Sequence, residues 1–236
     1  MDNIVPNGEF PKWDYQEYPK TCARDDFWGQ TRRTILGRRI SDEEVEELVD
    51  HINMGLLLTS SDMLLELGCG NGALSARLFN SCAGFVGADL SAYLIEIAQE
   101  YFERAPDYRF VTADAVEFAA SVSQPSRFTK ILCYALVQYF PFEKVQTLLL
   151  ILRERFPNLE RLMIGNLPDR EMANLFYRGG TDGVVLDEPK SQIGRWWTQD
   201  EFESLATRLG WAVGFVRMGA EWFNAEYRFD VILTPA

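Results

Sequence analysis

Glycines and carboxylates recur at positions where they could bind a small molecule. Residues 65–72 read LELGCGNG and follow an apolar run, so a glycine-rich turn falls where a strand meets a helix. Glycine lets the backbone approach a ligand closely and adopt angles that a side chain forbids. Glu66 lies within that strand, Asp89 ends the next apolar run, and Asp114 follows the third. A carboxylate at position 89 can accept hydrogen bonds from both hydroxyls of a ribose, and one at position 114 can accept from the amino group of adenine.

Two other interpretations of these residues stay open. Gly68, Gly70 and Ala73 also satisfy the dinucleotide pattern G-x-G-x-x-A, which would indicate a nicotinamide cofactor. That interpretation leaves Glu66 unexplained and puts its negative charge near a pyrophosphate. Separately, both aspartates could be helix caps, because Asp accepts hydrogen bonds from the first backbone amides of a helix.

The elements that must position this turn alternate between strand and helix. Such alternation predicts a parallel sheet with helices on both faces and a ligand site outside the carboxyl ends of its strands. Near the C-terminus, two strands follow one another without a helix, which predicts an antiparallel hairpin at the end of the sheet. The predicted strands are 63–67, 83–88, 108–112, 128–135, 161–165, 211–218 and 227–234. The predicted helices begin near Ser41, Ala73, Ser91, Pro141 and Thr198.

The motif and the order of elements together resemble the class I methyltransferases that use S-adenosylmethionine (SAM), whose first motif reads E/D-x-G-x-G-x-G. The resemblance covers about residues 41–236, and residues 1–40 form an N-terminal lid or substrate segment. It implies a Rossmann-like three-layer α/β sandwich with a mostly parallel, seven-stranded sheet that ends in an antiparallel hairpin. It also implies an enzyme with SAM as its cofactor and S-adenosylhomocysteine (SAH) as the product.

The resemblance assigns a cofactor contact to each part of the motif. Gly68, Gly70 and Gly72 would pass along the methionine part of SAM, and Glu66 would face its ammonium group. The second carboxylate would hold the ribose, and the third would read the adenine together with the amide that follows it. Residues after the fourth strand would form the floor beneath the sulfonium. The complete expected set is Glu66, Gly68, Cys69, Gly70, Asn71, Gly72, Asp89, Leu90, Asp114, Ala115, Cys133, Tyr134 and Gln138.

The substrate pocket is expected in the two segments that vary within this family, residues 1–40 and an insertion at about 166–197. Both are rich in aromatic and arginine side chains, and aromatic rings can shield a sulfonium from water and offer it a cation–π surface. The alternative is that these rings only pack the lid. We expect substrate contacts from Tyr18, Trp28, Arg32, Tyr139 and Trp197. Wider candidates are Trp13, Tyr15, Phe27, Arg33, Asp169, Arg170, Tyr177, Arg178 and Trp196.

The sequence does not identify a catalytic residue. A SAM-dependent enzyme mainly aligns the acceptor and excludes water, because the methyl group is already activated. The single histidine, His51, lies in the helix before the first strand, and no histidine follows the glycine turn. These facts leave Tyr, Asp or Glu as the base, or no base at all. No metal is expected, because the fourth strand does not end in an aspartate and the four cysteines are scattered.

Composition narrows the class of partner. The chain of 236 residues carries 35 acidic and 23 basic residues, a formal net charge of −12, which argues against a nucleic-acid partner. No stretch approaches the roughly 18 apolar residues of a membrane span, and the polar N-terminus does not read as a signal peptide. We therefore expect a cytoplasmic protein, a monomer or homodimer, that acts on a small molecule and has no membrane partner.

Two short stretches of the sequence indicate a type of substrate but do not identify it. Residues 26–30 (DFWGQ) and 195–198 (RWWT) look like bacterial methyltransferases that modify sugars or secondary metabolites. Residues 133–136 read CYAL and lack the prolines of the N/D-P-P-Y/F motif found in enzymes that methylate the amino groups of DNA bases. The sequence thus favours O-methylation of a small molecule in biosynthesis. N-methylation of a small amine, methylation of a protein and a non-catalytic SAM-binding subunit are the alternatives.

Overall fold

The computed structural model describes residues 12–35, 38–177, 180–191 and 193–236. Its helices are α1 (Lys12–Glu17), α2 (Phe27–Gln30), α3 (Asp42–Leu56), α4 (Ala73–Leu78), α5 (Ala92–Tyr101), α6 (Ala115–Ser121), α7 (Phe142–Arg155), α8 (Ala173–Phe176) and α9 (Gln199–Arg208). Its strands are β1 (Thr34–Ile35), β2 (Arg38–Arg39), β3 (Met63–Leu67), β4 (Gly84–Asp89), β5 (Tyr108–Thr112), β6 (Lys130–Tyr134), β7 (Arg161–Pro168), β8 (Trp211–Val216) and β9 (Arg228–Pro235). Within these ranges, no helix is long and apolar enough to cross a membrane.

Strands β3 to β9 form a seven-stranded sheet with the order β5-β4-β3-β6-β7-β9-β8. Strands β3 to β7 are parallel, whereas β9 is antiparallel to both of its neighbours, β7 and β8. The strand order reverses at β3, because β4 lies on one side of it and β6 on the other. Ligands of open α/β sheets bind at such a switch point. The predicted Rossmann-like sheet with its terminal antiparallel hairpin is confirmed.

Two apolar cores lie on opposite faces of the sheet. Leu65 and Leu67 of β3 pack in the core that α6, α7 and α9 cover, whereas Leu64, which precedes them, packs in the core that α3, α4 and α5 cover. Alternate side chains of a strand point to opposite faces, so one strand supplies both cores. This arrangement buries the sheet on both sides and leaves the carboxyl ends of the parallel strands available for a ligand.

Helix α3 begins with a capping box. The Ser41 hydroxyl accepts from the Glu44 amide at 3.2 Å, and the Glu44 carboxylate accepts from the Ser41 amide at 2.7 Å. Apolar residues at helical spacing along α3, from Val45 to Ile52, are buried against the sheet. The predicted start of this helix is confirmed.

The structure corrects the sequence interpretation in two places. Helix α6 was not predicted, because its seven residues are too few to show a helical period; it begins directly after the Asp114 cap. Strand β7 continues to Pro168 rather than ending near residue 165. A register shift in the pairing with β9, with Asn166 at a φ of 67°, allows this extension. The periodic pattern carries no signal for such a bulge.

Residues 12–33, which we call the N-terminal segment, pack against the end of α5 and the glycine turn. Phe27 lies 5.1 Å from Tyr101 and 4.9 Å from Phe102, measured between ring centroids. The Asn71 side-chain amide, in the glycine turn, donates to the Phe27 carbonyl and to Gln30 Oε1, both at 2.8 Å. The boundary expected at residue 40 stays a prediction, since residues 1–11, 36 and 37 lie outside the described ranges.

Candidate cofactor and substrate site

A cavity of about 460 Å³ lies at the carboxyl ends of the central parallel strands. The glycine turn after β3, the ends of β4 and β5, and the loop after β6 form its inner walls. The N-terminal segment and residues 189–190 of the insertion complete it. Pockets for small molecules span about 300–1,000 Å³, so this cavity has the size of a small-molecule site.

The glycine turn requires glycine for its conformation and for its packing. Gly68 and Gly70 line the cavity and have φ angles of 80° and 57°. The Gly68 amide donates to the Ala88 carbonyl at 2.7 Å, which holds the turn against β4. Gly72 does not line the cavity; its φ is 76°, and a Cβ there would lie 2.7 Å from the Phe110 ring. Side chains are therefore excluded from the turn on both sides.

Asp89 lines the cavity at the end of β4. Its Oδ2 accepts from the Gly70 amide at 2.9 Å, and its Oδ1 accepts from the Ser91 amide at 2.8 Å. Burial raises the pKa of this carboxyl, and the two amides oppose the rise. A carboxylate oxygen can accept two hydrogen bonds, so each keeps an acceptor site for a ligand hydroxyl. The geometry is compatible with the ribose contact, which stays a prediction.

Asp114 lines the cavity and also caps α6. Its Oδ1 accepts from the amides of Val116 at 2.9 Å and Glu117 at 3.2 Å, and its Oδ2 accepts from Lys144 Nζ at 2.7 Å. Burial alone would raise the pKa of Asp114, but these donors together lower it. The capping role is therefore real, while the adenine contact expected from Asp114 and Ala115 stays a prediction.

Glu66 is buried in β3 and does not line the cavity. The Ser75 hydroxyl donates to its carboxylate at 2.5 Å. Burial raises the pKa of Glu66 to about 7, against the opposing effects of the Ser75 hydrogen bond and the charge of Arg33. Near neutral pH this carboxyl is thus about half protonated. Its contact with an ammonium group stays a prediction.

The expected cofactor residues divide into two groups. Those that line the cavity are Gly68, Gly70, Asp89, Leu90, Asp114, Ala115 and Tyr134. Those that do not are Glu66, Cys69, Asn71, Gly72, Cys133 and Gln138. Cys69 and Cys133 are buried in the two apolar cores, and the main-chain carbonyl of Gln138 accepts from the Arg195 amide at 2.7 Å. These placements indicate a supporting role for the second group.

Two of the five expected substrate residues, Tyr139 and Trp197, lie outside the N-terminal segment, and their surroundings differ from each other. Tyr139 lines the cavity, and its hydroxyl lies 3.4 Å from that of Tyr15 in the N-terminal segment. Trp197 is fully buried, and its ring stacks on Phe142 with the centroids 5.9 Å apart. Trp197 therefore packs the core in this structure and does not face the cavity.

The other three expected substrate residues belong to the N-terminal segment and do not line the cavity. Arg32 pairs with Asp14 at 2.8 Å, and its guanidinium lies 4.0 Å from the centroid of the Tyr18 ring. Trp28 packs against the core on the α3 side of the sheet. These residues hold the segment together. Arg178 and the side chain of Trp13, two of the wider candidates, lie outside the described part of the structure.

Arg33 lines the cavity where the sequence had favoured Arg32. Its guanidinium lies 5.5 Å from the centroid of the Tyr134 ring. Arg32 has a φ of 50°, and the Arg33 amide donates to the Trp28 carbonyl at 2.8 Å, so the two side chains leave the backbone in different directions. No sequence pattern distinguishes two adjacent arginines in a turn. Further lining residues that were not singled out include Gln16, Thr31, Lys144, Pro189 and Lys190.

The residues of the inner wall fit an adenosine-containing cofactor. A Cβ at Gly70 would lie 3.3 Å from the Thr31 methyl group, so glycine keeps open the gap between the turn and the N-terminal segment. Asp89 stands beside this gap with free acceptor capacity on both oxygens. A close approach to the backbone next to a hydroxyl-binding carboxylate is what a nucleoside with an extended substituent requires.

Comparisons with known proteins agree with this architecture. Residues 64–154 match a family described as a methyltransferase domain. An uncharacterized methyltransferase of Schizosaccharomyces pombe is 44% identical over 55 residues, which are 23% of this chain and 20% of that protein. Ribosomal RNA small subunit methyltransferase A of Synechococcus elongatus is 32% identical over 85 residues, 35% of this chain and 30% of that protein. The matched stretches thus span less than a third of these relatives.

Solved structures share the fold over most of the chain. N-methyltransferase NodS from Bradyrhizobium japonicum WM9, in complex with SAH, aligns with a TM-score of 0.65 and 14% identity over 94% of this chain and 98% of that one. Magnesium protoporphyrin IX methyltransferase from Synechocystis PCC 6803, with bound SAH, aligns with a TM-score of 0.61 and 14% identity over 95% and 94%. At these identities the likeness concerns the fold.

The fold is Rossmann-like, and its cavity has the size and the residue types of a nucleoside site. Residues 64–154 match a methyltransferase domain, and the two solved methyltransferases named above, which share this fold over most of the chain, were determined with SAH bound.

Proposed function

We propose that this protein methylates an oxygen atom of a small molecule, in a sugar or secondary-metabolite pathway. The observation that carries the proposal is the cavity itself. One space of about 460 Å³ contains both the inner wall for the cofactor and side chains of the N-terminal segment. Since SAM would fill much of this volume, the space that is left suits a small acceptor better than a polymer.

The proposed cofactor contacts follow the inner wall. Gly68 and Gly70 would lie along the methionine part, Asp89 would hold the ribose hydroxyls, and Asp114 with Ala115 would contact the adenine. When bound, SAM supplies a methyl group activated by a sulfonium. The protein's own contribution is to hold the acceptor in line, and to keep water out with the rings of Tyr134 and Tyr139.

The described cavity residues offer no ready general base. Burial raises the pKa of Tyr15 well above its usual value, and the nearby Tyr139 raises it further. His51 does not line the cavity; its Nε2 lies 2.5 Å from Asp230 Oδ2. An acceptor that is already ionised needs no base. This favours an acidic oxygen over a small amine, since an amine is protonated at neutral pH and must lose a proton before it can react.

Other acceptors have less support. The relative from Synechococcus elongatus is named for ribosomal RNA, but a net charge of −12 disfavours binding to a polyanion. NodS is named as an N-methyltransferase, and an N-methyl acceptor is the first alternative for this chain. Methylation of a protein and a non-catalytic role as a SAM-binding subunit are further alternatives. A cytoplasmic location and a monomeric or homodimeric state stay predictions of the sequence.

Labelled SAM tests the proposal directly. The purified protein would be incubated with SAM that carries carbon-13 in its methyl group and with three separate acceptor pools: small metabolites, proteins and RNA. We expect label in the small-metabolite pool at the chemical shift of an O-methyl group, and markedly less label with Asp89→Asn at a limiting concentration of SAM. Label on nitrogen, label confined to protein or RNA, or no transfer at all would contradict the proposal.

A further inference from the structure

More positively than negatively charged side chains line the cavity. The cavity is lined by three cations, Arg33, Lys144 and Lys190, and two carboxylates, Asp89 and Asp114. Lys144 is paired with Asp114 at 2.7 Å, and the Asp89 oxygens are held by two backbone amides. Arg33 and Lys190 form no ion pair with another residue of the described ranges. In a protein with a net charge of −12, this local excess of one positive charge favours an anionic ligand.

Arg33 is the cation whose surroundings call for a ligand. Its Nε is buried and has no hydrogen-bond partner among the described residues. One face of the guanidinium lies over the Tyr134 ring at 5.5 Å. Glu66 interacts with it electrostatically but forms no ion pair with it within 4 Å, and burial raises the pKa of that carboxyl to about 7. A buried guanidinium nitrogen without a hydrogen bond is costly, and carboxylate or phosphate oxygens match the planar donors of this group.

Arg33 would hold this anion where the N-terminal segment borders the cavity. Tyr15 and Gln16 line the cavity from the same segment, whereas the carboxylates that suit the adenosine are at the ends of β4 and β5. The Tyr15 and Tyr139 hydroxyls lie 3.4 Å apart with their rings edge to face, so this border has aromatic walls. A flat ring that bears an acidic group would match both features. A negative acceptor would also offset the positive charge of a sulfonium.

We propose that the methyl acceptor is a small anionic molecule, whose carboxylate or phosphate is bound by the Arg33 guanidinium where the N-terminal segment borders the cavity, with Lys190 as a second, more exposed cation. This inference rests on the proposed function and adds the class of substrate to it. The anion is the part of the acceptor that is recognised. The nucleophile is a different group of the same acceptor, namely the oxygen atom proposed above.

Probe anions and matched variants test the assignment by binding alone. Wild-type protein saturated with SAH would be titrated by calorimetry with benzoate and phenyl phosphate, and with benzamide as a neutral analogue of benzoate. We expect benzoate or phenyl phosphate to bind at least about tenfold more tightly than benzamide, because charge-assisted hydrogen bonds are stronger than hydrogen bonds to a neutral group. Arg33→Gln should remove this preference, and Arg33→Lys should keep part of it. The exposed Arg109→Gln, which is outside the cavity, serves as the matched control.

Affinity for SAH and for methylthioadenosine, which lacks the amino-acid carboxylate, would be measured for each variant. We expect Arg33→Gln to bind both within about threefold of wild type, since a lost anion contact should leave the adenosine contacts intact. If Arg33→Gln weakens SAH but not methylthioadenosine, Arg33 is used by the cofactor's carboxylate and the inference is overturned. It is also overturned if both anions bind the variant like wild type, or bind wild type no better than benzamide. Failure of wild type to bind SAH would instead count against the proposed function.

Discussion

A buried carboxyl next to the glycine turn should make stability depend on pH. The pKa of Glu66 is about 7 in the folded protein, against 4.5 for the unperturbed group, because of burial. Between these values the folded state binds more protons than the unfolded state, so stability falls as pH rises from about 4.5 to about 7. A shift of this size corresponds to about 3 kcal/mol at most.

Glu66→Gln should remove this dependence. Gln stays neutral and can still accept from the Ser75 hydroxyl. We expect the difference in unfolding free energy between the variant and wild type to move in favour of the variant by up to about 3 kcal/mol from pH 4.5 to pH 8. Urea unfolding at each pH measures it, with the exposed Glu154→Gln as control. Parallel pH profiles for wild type and Glu66→Gln would show that Glu66 does not titrate in this range.

A pair of glycine substitutions separates backbone strain from crowding. Gly72 and Gly210 have similar φ angles, 76° and 81°. A Cβ at Gly72 would lie 2.7 Å from the Phe110 ring, whereas a Cβ at Gly210 would meet only Arg153 Nε, at 3.4 Å. We expect Gly210→Ala to destabilise by about 1 kcal/mol, and Gly72→Ala by a further 1–3 kcal/mol or so, because of overpacking. Thermal and urea unfolding without ligand measure both; equal losses would mean that the ring moves aside freely.

The N-terminal segment depends on the glycine turn for part of its attachment. The Asn71 side-chain amide, which the sequence assigned to the cofactor, donates to the Phe27 carbonyl and to Gln30 Oε1. Asn71→Ala removes both hydrogen bonds and should loosen the segment without unfolding the sheet. Local opening of this kind should raise amide hydrogen exchange of residues 23–33 by about tenfold.

The control for that experiment is a cap of similar strength elsewhere. The Thr198 hydroxyl accepts from the Glu201 amide at 3.0 Å at the start of α9. Thr198→Ala should cost about 1 kcal/mol of stability and leave exchange in the N-terminal segment unchanged. If both variants raise exchange in residues 23–33 equally, the effect follows global stability, and the attachment through Asn71 has no special role.

The sequence determined the central elements better than the segments that cover them. Alternating apolar runs predicted the parallel strands and the terminal hairpin, because local periodicity and the burial of both faces point to the same structure. The positions of the glycines and carboxylates predicted that the glycine turn borders a ligand site. The N-terminal segment was different: Arg32 and Arg33 are adjacent, and a left-handed residue between strand and helix decided which of them reaches the cavity. Trp197 is an aromatic residue of a segment that was expected to form the pocket, yet its side chain is buried in the core.

At the scale of the whole molecule, the negative net charge should prevent binding to nucleic acid. The net charge of −12 repels phosphates, and the positive side chains of the cavity are confined to a small-molecule space. We expect no binding to a ribosomal RNA fragment at about 150 mM salt, measured by fluorescence anisotropy, because electrostatic attraction supplies most non-specific affinity. Micromolar binding under these conditions would revive an RNA acceptor and weaken the proposal of a small molecule.

The central claim is that the glycine turn and Asp89 bind SAM. Calorimetric titration of SAH into wild type and into Asp89→Asn, with NADH in parallel, tests it most directly. We expect wild type to bind SAH and not NADH, and Asp89→Asn to bind SAH at least about tenfold more weakly, because the variant loses charge-assisted hydrogen bonds to the ribose. Unfolding curves for both proteins control for a general loss of structure. Binding of NADH in place of SAH, or equal affinity of both proteins for SAH, would contradict the account.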